Sequence, residues 1–558
     1  MDPPAPIPSP RPDDGDARSP FWLERALDDL TDAQRRAVDS PARALCIVAG
    51  AGSGKTRVLT LRVARRIRDG SADADHTVVC TFTRKAAHEL RDRLALYGVP
   101  VSTPPGPGGI PTAGVRAGTL HQLALTFLRR RALDTGQAPP ALVEHRWRTL
   151  AELMDDRSLA SAVDTEIGWA KARCLSPDGY AAAAAAEGRS VALPLERVTE
   201  VFTAYQDRLG RRGLLDLDDV LLRAADLLVE NATFAEQAHW RYRHVAIDEF
   251  QDVNPAQFRL VRAVLGQRAD LCAVGDPNQA IYGWNGADSG LLRSLPEVMA
   301  GLEVVHLDAN HRCSPQIVAA AGAALGPVTV APPRSCAPDG PVPTLIPFDD
   351  DRAEADAVTA SILSRAESGM TWSDQAVLAR THEQLNVVRR SLEAAGVPCR
   401  LAPAPESPDA EPVPVSTGRA GRAGRAGGRA GRAAGRVGAH VGSGGGVELA
   451  TFHRAKGLEW SAVHVVGLES GFVPIVHATS ADSLAEERRL LYVALTRAGR
   501  VLECSWAKSR TMGGGQAMER RPSPWLADLA EMCEAGNSVT APHDIARRFA
   551  DLRANLKR

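Results

Sequence analysis

The octapeptide AGAGSGKT, Ala49 to Thr56, carries the most specific chemistry in the chain. An apolar run, ALCIVAG (44–50), leads into it, and a helical stretch, TRVLTLRVARRI, leads out. Glycines let backbone N–H groups converge on phosphate oxygens, and a helix N-terminus adds its positive end. Gly50, Ala51, Gly52, Ser53 and Gly54 would form that cradle. Lys55 would reach the β- and γ-phosphates of a nucleoside triphosphate, and Thr56 would place its hydroxyl on magnesium. The strict pattern wants Gly at the first position, where this chain has Ala49. A second constellation, VAIDEFQD (245–252), puts two acids at the end of another apolar run. Asp248 suits a magnesium-holding carboxylate, and Glu249 suits the group that polarises an attacking water. Each motif alone could be ordinary, a glycine turn or a solvated strand end. Together they point to nucleoside triphosphate hydrolysis, without saying what the hydrolysis drives.

The elements that must position these residues read as a doubly wound α/β domain. ALCIVAG, TVVCTFT (77–83), HVAIDEF (244–250) and LCAVGDP (271–277) are β-rich and apolar on both faces, and their ends carry Gly, Thr or Asp. Such sheets bind ligands at the carboxyl ends of their strands. LTDAQRRAV opens a helix that Thr31 or Asp32 can cap. Residues 125–212 break the alternation and read as a helical insertion, with AAAAAAEG (181–188) as a helix or a linker. A second alternating series follows: LEVVHLDAN (302–310), AVLAR (376–380), VELATFH (447–453), AVHVVGLES (462–470) and VLECSW (501–506). The expected organisation is a disordered tail (1–28), a first α/β domain (29–124 and 213–290) around the insertion, and a second (291–400 and 447–528). A linker (401–446) interrupts the second domain, and a short helical tail (529–558) closes the chain.

Bulk properties narrow the function classes. The net charge of the 558 residues is −1, so a nucleic-acid partner must be held by local patches. Nine cysteines are scattered without any CxxC pair, which fits reduced thiols in a cytosolic compartment and no structural metal. The Pro- and Asp-rich N-terminus lacks the order of a signal peptide, and no apolar run is long enough to span a membrane.

Further motifs, in order along the chain, resemble the UvrD/Rep/PcrA-type superfamily 1 DNA helicases. They are LTDAQRRAV, TFTRKAAHELRDR (81–93), GTLHQL (118–123), LLDLDDVLL (214–222), VGDPNQAIYGWNGAD (274–288), LDANHRCSPQIV (307–318), TFHRAKGLEWSAVHVVGLESGFVP (451–474) and EERRLLYVALTRA (486–498). The resemblance implies two RecA-like P-loop motor domains, ATP and magnesium as cofactors, and 3′ to 5′ movement on single-stranded DNA. It implies that Gln34 reads the adenine with Arg35 nearby, that Tyr282 stacks near the base, and that Glu459 accepts from the sugar hydroxyl. Gln279 would sense the γ-phosphate beside Glu249, while Arg312 and Arg497 would reach it from the second motor domain. Phe82 and Trp284 would stack on DNA bases, and His121, His453 and Lys456 would contact its backbone. Two positions depart from the family pattern. Asn285 follows the motif tryptophan where the family has Arg, and His311 precedes the fourth-motif arginine where it has Tyr. Both are read as DNA contacts altered in kind.

The segment STGRAGRAGRAGGRAGRAAGRVGAHVGSGGG (416–446) holds six arginines and no acid, aromatic, Leu or Ile. It cannot bury enough apolar surface to offset ordering entropy, so it reads as disordered. In the resemblance it stands where a folded insertion of the second motor domain normally stands. It reads either as a soluble tether or as a weak, sequence-independent nucleic-acid contact. Three functions are weighed. The first is a DNA helicase acting at single-strand/duplex junctions in repair or replication, soluble in the cytoplasm and nucleoid-associated. The second is a DNA-stimulated ATPase or translocase that needs a repair-protein partner to unwind. The third is a non-catalytic DNA-binding subunit, whose expected signature, a broken Lys55, Glu249 or Arg497, is not present.

Overall fold

The computed structural model describes residues 20–103, 112–189, 191–326, 330–402, 445–511 and 516–535. Most of the N-terminal tail, the arginine-glycine segment and the end of the C-terminal tail lie outside the described residues.

The first sheet has six strands, all paired in parallel. Their spatial order is Arg116–Thr119, Thr77–Thr81, His244–Ile247, Leu271–Gly275, Leu45–Ala49 and Glu303–Leu307. Alternate residues feed two cores: Leu45, Ile47 and Ala49 face one, while Cys46 faces the other. That is why the interior strands of this sheet are apolar almost throughout and not at every second position. The seven-stranded second sheet is also parallel throughout. It runs Cys399–Leu401, Val447–Thr451, Gln375–Ala379, Trp460–Val465, Ala498–Ala507, Thr344–Phe348 and Glu534–Ala535. It too is packed on both faces. The lobes meet where the helix Ala481–Leu495 packs on the turn Pro277–Gln279 that follows a first-sheet strand.

The helical insertion has its own core, built on Leu150, Ile167, Trp169, Tyr180, Phe202 and Tyr205. The chain enters and leaves it through a short parallel pair, Ala141–Leu142 beside Leu214–Leu215. Its helix Ala160–Ala172 presses on the turn Gly283–Asn285. A Cβ at Gly286, where φ is +87°, would fall 2.5 Å from the Ala172 methyl.

Four expected boundaries move. The helix Leu120–Asp134 belongs to the first lobe, with Leu123, Ala124 and Phe127 in its core, so the insertion begins after it and not at 125. The strand Glu303–Leu307, expected in the second domain, pairs with Leu45–Ala49 at the edge of the first sheet. The tail expected over 1–28 contains a helix, Pro20–Asp28, whose Leu23, Ala26 and Leu27 are buried in the first lobe. Residues 534–535, expected in a helical tail, instead extend the second sheet beside Thr344–Leu345. The last three share one cause: an apolar side chain or a sheet edge takes the neighbour that covers it, wherever it lies in the chain. The run AAAAAAEG, read as helix or linker, ends the helix Pro177–Ala186.

Candidate nucleotide cleft and strand-binding face

The strand Leu45–Ala49 ends in the Gly50–Gly54 turn, and the helix Lys55–Arg68 starts at once. Ala49 is fully buried in the core, so its methyl is accommodated and the first motif position needs no glycine. Gly52 and Gly54 do need to be glycine, at φ +68° and +81°. A Cβ at Gly52 would also lie 2.3 Å from Asn310 Oδ1. The turn is held from inside: Ser53 Oγ donates to Gly50 O at 2.7 Å, and Lys55 Nζ reaches the same oxygen at 3.4 Å. Gln34 completes a capping box with Thr31, which settles the capping residue, and donates from Nε2 to Ser53 O at 2.9 Å. Arg35 does not join Gln34 there. It donates to Leu27 and Asp28 carbonyls at the end of the first helix, whose last oxygens need donors.

One strand separates the phosphate loop from the acidic strand end, and this spacing brings Thr56 Oγ1 within 2.8 Å of Asp248 Oδ2. A hydroxyl beside a carboxylate fits magnesium. No group of three or more His, Cys, Asp or Glu among the described residues could hold a metal, so the ion's other ligands would be phosphate oxygens and water. Burial, then Glu249, pushes the Asp248 carboxyl up to about 6. Glu249 sits at φ 54°, in the left-handed region that non-glycine residues rarely enter. Burial would raise its pKa too, but Lys55, Lys456 and Gln251 outweigh it and hold the carboxyl below its usual range.

The second lobe closes the cleft. His311 N–H donates to Gly52 O at 2.9 Å, and the Tyr492 hydroxyl meets the Ala51 backbone N–H. Arg497, 2% exposed, donates to Val493 O, Leu458 O and Thr496 Oγ1. Burial and then Arg312 lower its pKa to about 10. Arg312 is paired with Glu459. Gln279 Nε2 donates to Asp276 Oδ2 at 2.6 Å, while the Gln279 main-chain carbonyl accepts from Lys456 Nζ at 2.6 Å.

The tertiary placement corrects three expectations. Lys456, expected on the DNA backbone, is buried in the cleft with both Asp252 oxygens at 2.8 and 2.7 Å, the carboxylate being its nearest counter-charge. Tyr282, expected near the base, stacks on Phe82 with ring centroids 5.2 Å apart, and Lys456 Nζ lies 5.1 Å from its ring. His311, expected on DNA, borders the phosphate loop beside Arg57, because its segment crosses over the loop. Phe82, His121 and Asn285 do converge, on a cavity of about 360 Å³. Trp284 is 49% exposed at a second, larger groove between the lobes, edge-on to His453 at 6.5 Å. Burial, then Arg380 and Lys456, lowers the His453 pKa to about 4.

Two cleft residues escaped the sequence reading. Gln251, fully buried, donates to Glu249 and accepts from Asp276 N–H at 2.9 Å, tying two motifs together. Asn310 accepts from the Arg312 and Cys313 N–H groups and orients the arginine. Both lie inside quoted motifs, but nothing in their type marks them as cleft residues.

A phosphate loop, a paired acid site and arginines from a facing lobe define a two-lobed P-loop nucleotide hydrolase. Residues 30–299 match the family model of the UvrD/REP helicase N-terminal domain, and residues 440–509 match that of the UvrD-like helicase C-terminal domain. The chain is 35% identical to the ATP-dependent DNA helicase UvrD2 of Mycobacterium tuberculosis, over 91% of this chain and 82% of that one. It is 30% identical to DNA helicase II of Escherichia coli, over 67% and 51% respectively. Against the ATP-dependent DNA helicase PcrA of Leuconostoc citreum it is 30% identical, over 67% and 50%. The chain belongs to the UvrD/PcrA family of ATP-dependent DNA helicases. No described helix is long and apolar enough to cross a membrane.

Proposed function

We propose that the chain uses ATP hydrolysis to move 3′ to 5′ along single-stranded DNA and to separate strands at single-strand/duplex junctions, in repair or replication and with a repair protein as partner. The observation that carries this reading is the cleft itself: Thr56, Asp248 and Glu249 on one lobe face Arg312 and Arg497 on the other. The motif order supplies the DNA substrate and the direction.

Lys55 and the loop amides would take the phosphates. Thr56 and Asp248 would hold magnesium, which when bound neutralises charge on the β- and γ-oxygens. Glu249, kept ionised by its cationic neighbours, is suited to polarise the attacking water. Arg497 remains protonated at neutral pH and opposes transition-state charge, a contribution of about 10³–10⁵ in rate. Because both arginines come from the second lobe, hydrolysis depends on lobe closure. Closure is linked to the strand face through Gln279 O, Lys456, Tyr282 and Phe82, a chain of direct contacts.

The test is ATP-dependent unwinding of 3′-tailed and 5′-tailed duplexes, with Lys55→Ala as control. Separation of the 3′-tailed duplex alone, lost in Lys55→Ala, is expected. Unwinding from the 5′ tail would overturn the direction. DNA-stimulated hydrolysis without strand separation would mean that the motor waits for a partner.

A further inference from the structure

The turn Gly283–Asn285 presents Trp284 to the groove between the lobes, and its backbone is held from outside. Gly283 and Trp284 open the turn, so their N–H groups have no acceptor within it. The acceptor is Glu486, on the second-lobe helix Ala481–Leu495 and 202 positions along the chain. The Trp284 N–H reaches Glu486 Oε1 at 3.5 Å, and the Gly283 N–H meets the same carboxylate. The fit is close. The three atoms nearest to a Cβ placed on Gly283 all belong to the Glu486 carboxylate, and that Cβ would collide with Oε2. Gly283 has no left-handed φ, so this approach alone asks for glycine. Arg489 lies on the same helix face and donates from Nε to Ala280 O at 2.7 Å. The helix therefore grips the segment 280–284 on both sides of Tyr282. Glu487 anchors the helix in its own lobe, accepting from Arg380 at 2.7 Å and from the Ile475 N–H at 3.2 Å. The Trp284 indole is half in water, so core packing does not fix it and the backbone beneath sets its place. A carboxylate in a groove meant for a polyanion repels that ligand, which makes this position costly unless the carboxylate holds something there.

We propose that Glu486 is a positioning residue for the strand: its carboxylate, brought by the second lobe on closure, holds the Gly283–Trp284 backbone and so sets the Trp284 indole where it stacks on a base. The proposal rests on the reading of Trp284 as a strand-stacking residue. It makes the grip at Trp284 depend on lobe closure. The route is separate from the chain of contacts through Gln279 O, Lys456, Tyr282 and Phe82.

The experiment is fluorescence anisotropy of a labelled oligothymidylate, at fixed salt, with the full chain, magnesium and a non-hydrolysable ATP analogue. Glu486→Ala should weaken binding by about 4- to 10-fold, and Glu486→Gln, which keeps a carbonyl acceptor, should stay within about twofold of the parent. Gly283→Ala, which pushes the carboxylate away, should match Glu486→Ala, and the two together should be no weaker than either alone. Trp284→Ala should weaken binding by about 5- to 150-fold. Adding Glu486→Ala to Trp284→Ala should then change binding by no more than about twofold, since the indole it places is gone. A full further loss in that double variant overturns the proposal, as does Glu486→Gln as weak as Glu486→Ala. Tighter binding by both Glu486 variants also overturns it, because the carboxylate would then act only as a repelling charge. Weak binding by Trp284→Ala with Glu486→Ala unchanged overturns the role of Glu486 alone. Unchanged binding by Trp284→Ala overturns the stacking reading, and the proposal with it.

Discussion

Lys456→Met separates two accounts of one residue. In the cleft, the ammonium is the counter-charge of Asp252, which is 2% exposed, and it also donates to Gln279 O. Removing one partner of a buried pair costs about 3–5 kcal/mol, because the remaining charge is left uncompensated. For a lobe of this size that is a loss of about 6–20 °C in the unfolding midpoint of the ATP-free protein. The loss should depend on pH. Burial already pushes the Asp252 carboxyl up to about 7, against the pull of Lys456. Without the lysine it rises further, so at pH 6 the carboxyl takes up a proton and much of the cost disappears. At pH 8.5 it must ionise unpaired or draw a proton from dilute solution. The gap between parent and variant should therefore widen as pH rises from about 6 to 8.5. The assay is a thermal melt across that range, with Asp252→Asn/Lys456→Met as the rescue that removes both charges. DNA affinity against salt should keep its slope. A lysine on a DNA phosphate would behave otherwise: the slope would shrink by about 0.7, with little change in stability. That pattern would refute the interlobe assignment and restore the DNA contact expected from the sequence.

Two further outcomes follow from the site. Glu249→Gln should lower kcat for ATP by about 10²–10⁴ while leaving the KM for ATP within a fewfold, because the carboxylate acts on water and not on the nucleotide; equal loss in binding, read by equilibrium titration, would argue against that role. Asp270→Asn should destabilise the first lobe by about 2 kcal/mol at neutral pH. Burial would raise the Asp270 pKa, but hydrogen bonds from Arg66 and His244 outweigh it and depress the carboxyl to about 2. A depressed acid stabilises above its unfolded pKa and loses that stabilisation as pH falls, so parent and variant should converge between about pH 4 and 2 in denaturant melts.

The sequence by itself determined the parts whose chemistry is local. A phosphate loop needs glycine, lysine and threonine in one short turn, so AGAGSGKT was legible, and its Ala49 proved harmless because the strand end is core. Strands buried on both faces must be apolar throughout, so most members of the two parallel sheets could be read in advance.

Only the tertiary structure decided which residues meet across distance. Lys456 and Asp252 lie 204 positions apart, and a lysine's type fits a phosphate or a carboxylate equally well. The same ambiguity placed Tyr282 at the base and His311 at the strand, when packing sets Tyr282 on Phe82 and His311 on the phosphate loop. Glu303–Leu307 has no feature that names its sheet; the open edge beside Leu45–Ala49 claims it. Arg146 belongs to no motif at all, yet it is clamped by three carboxylates drawn from two other helices and the turn that caps one of them. Hydrogen bonds within a turn are set by neighbours in the chain. Ion pairs, ring stacks and sheet edges are set by whatever the fold brings within a few ångströms, and that is where the sequence stops deciding.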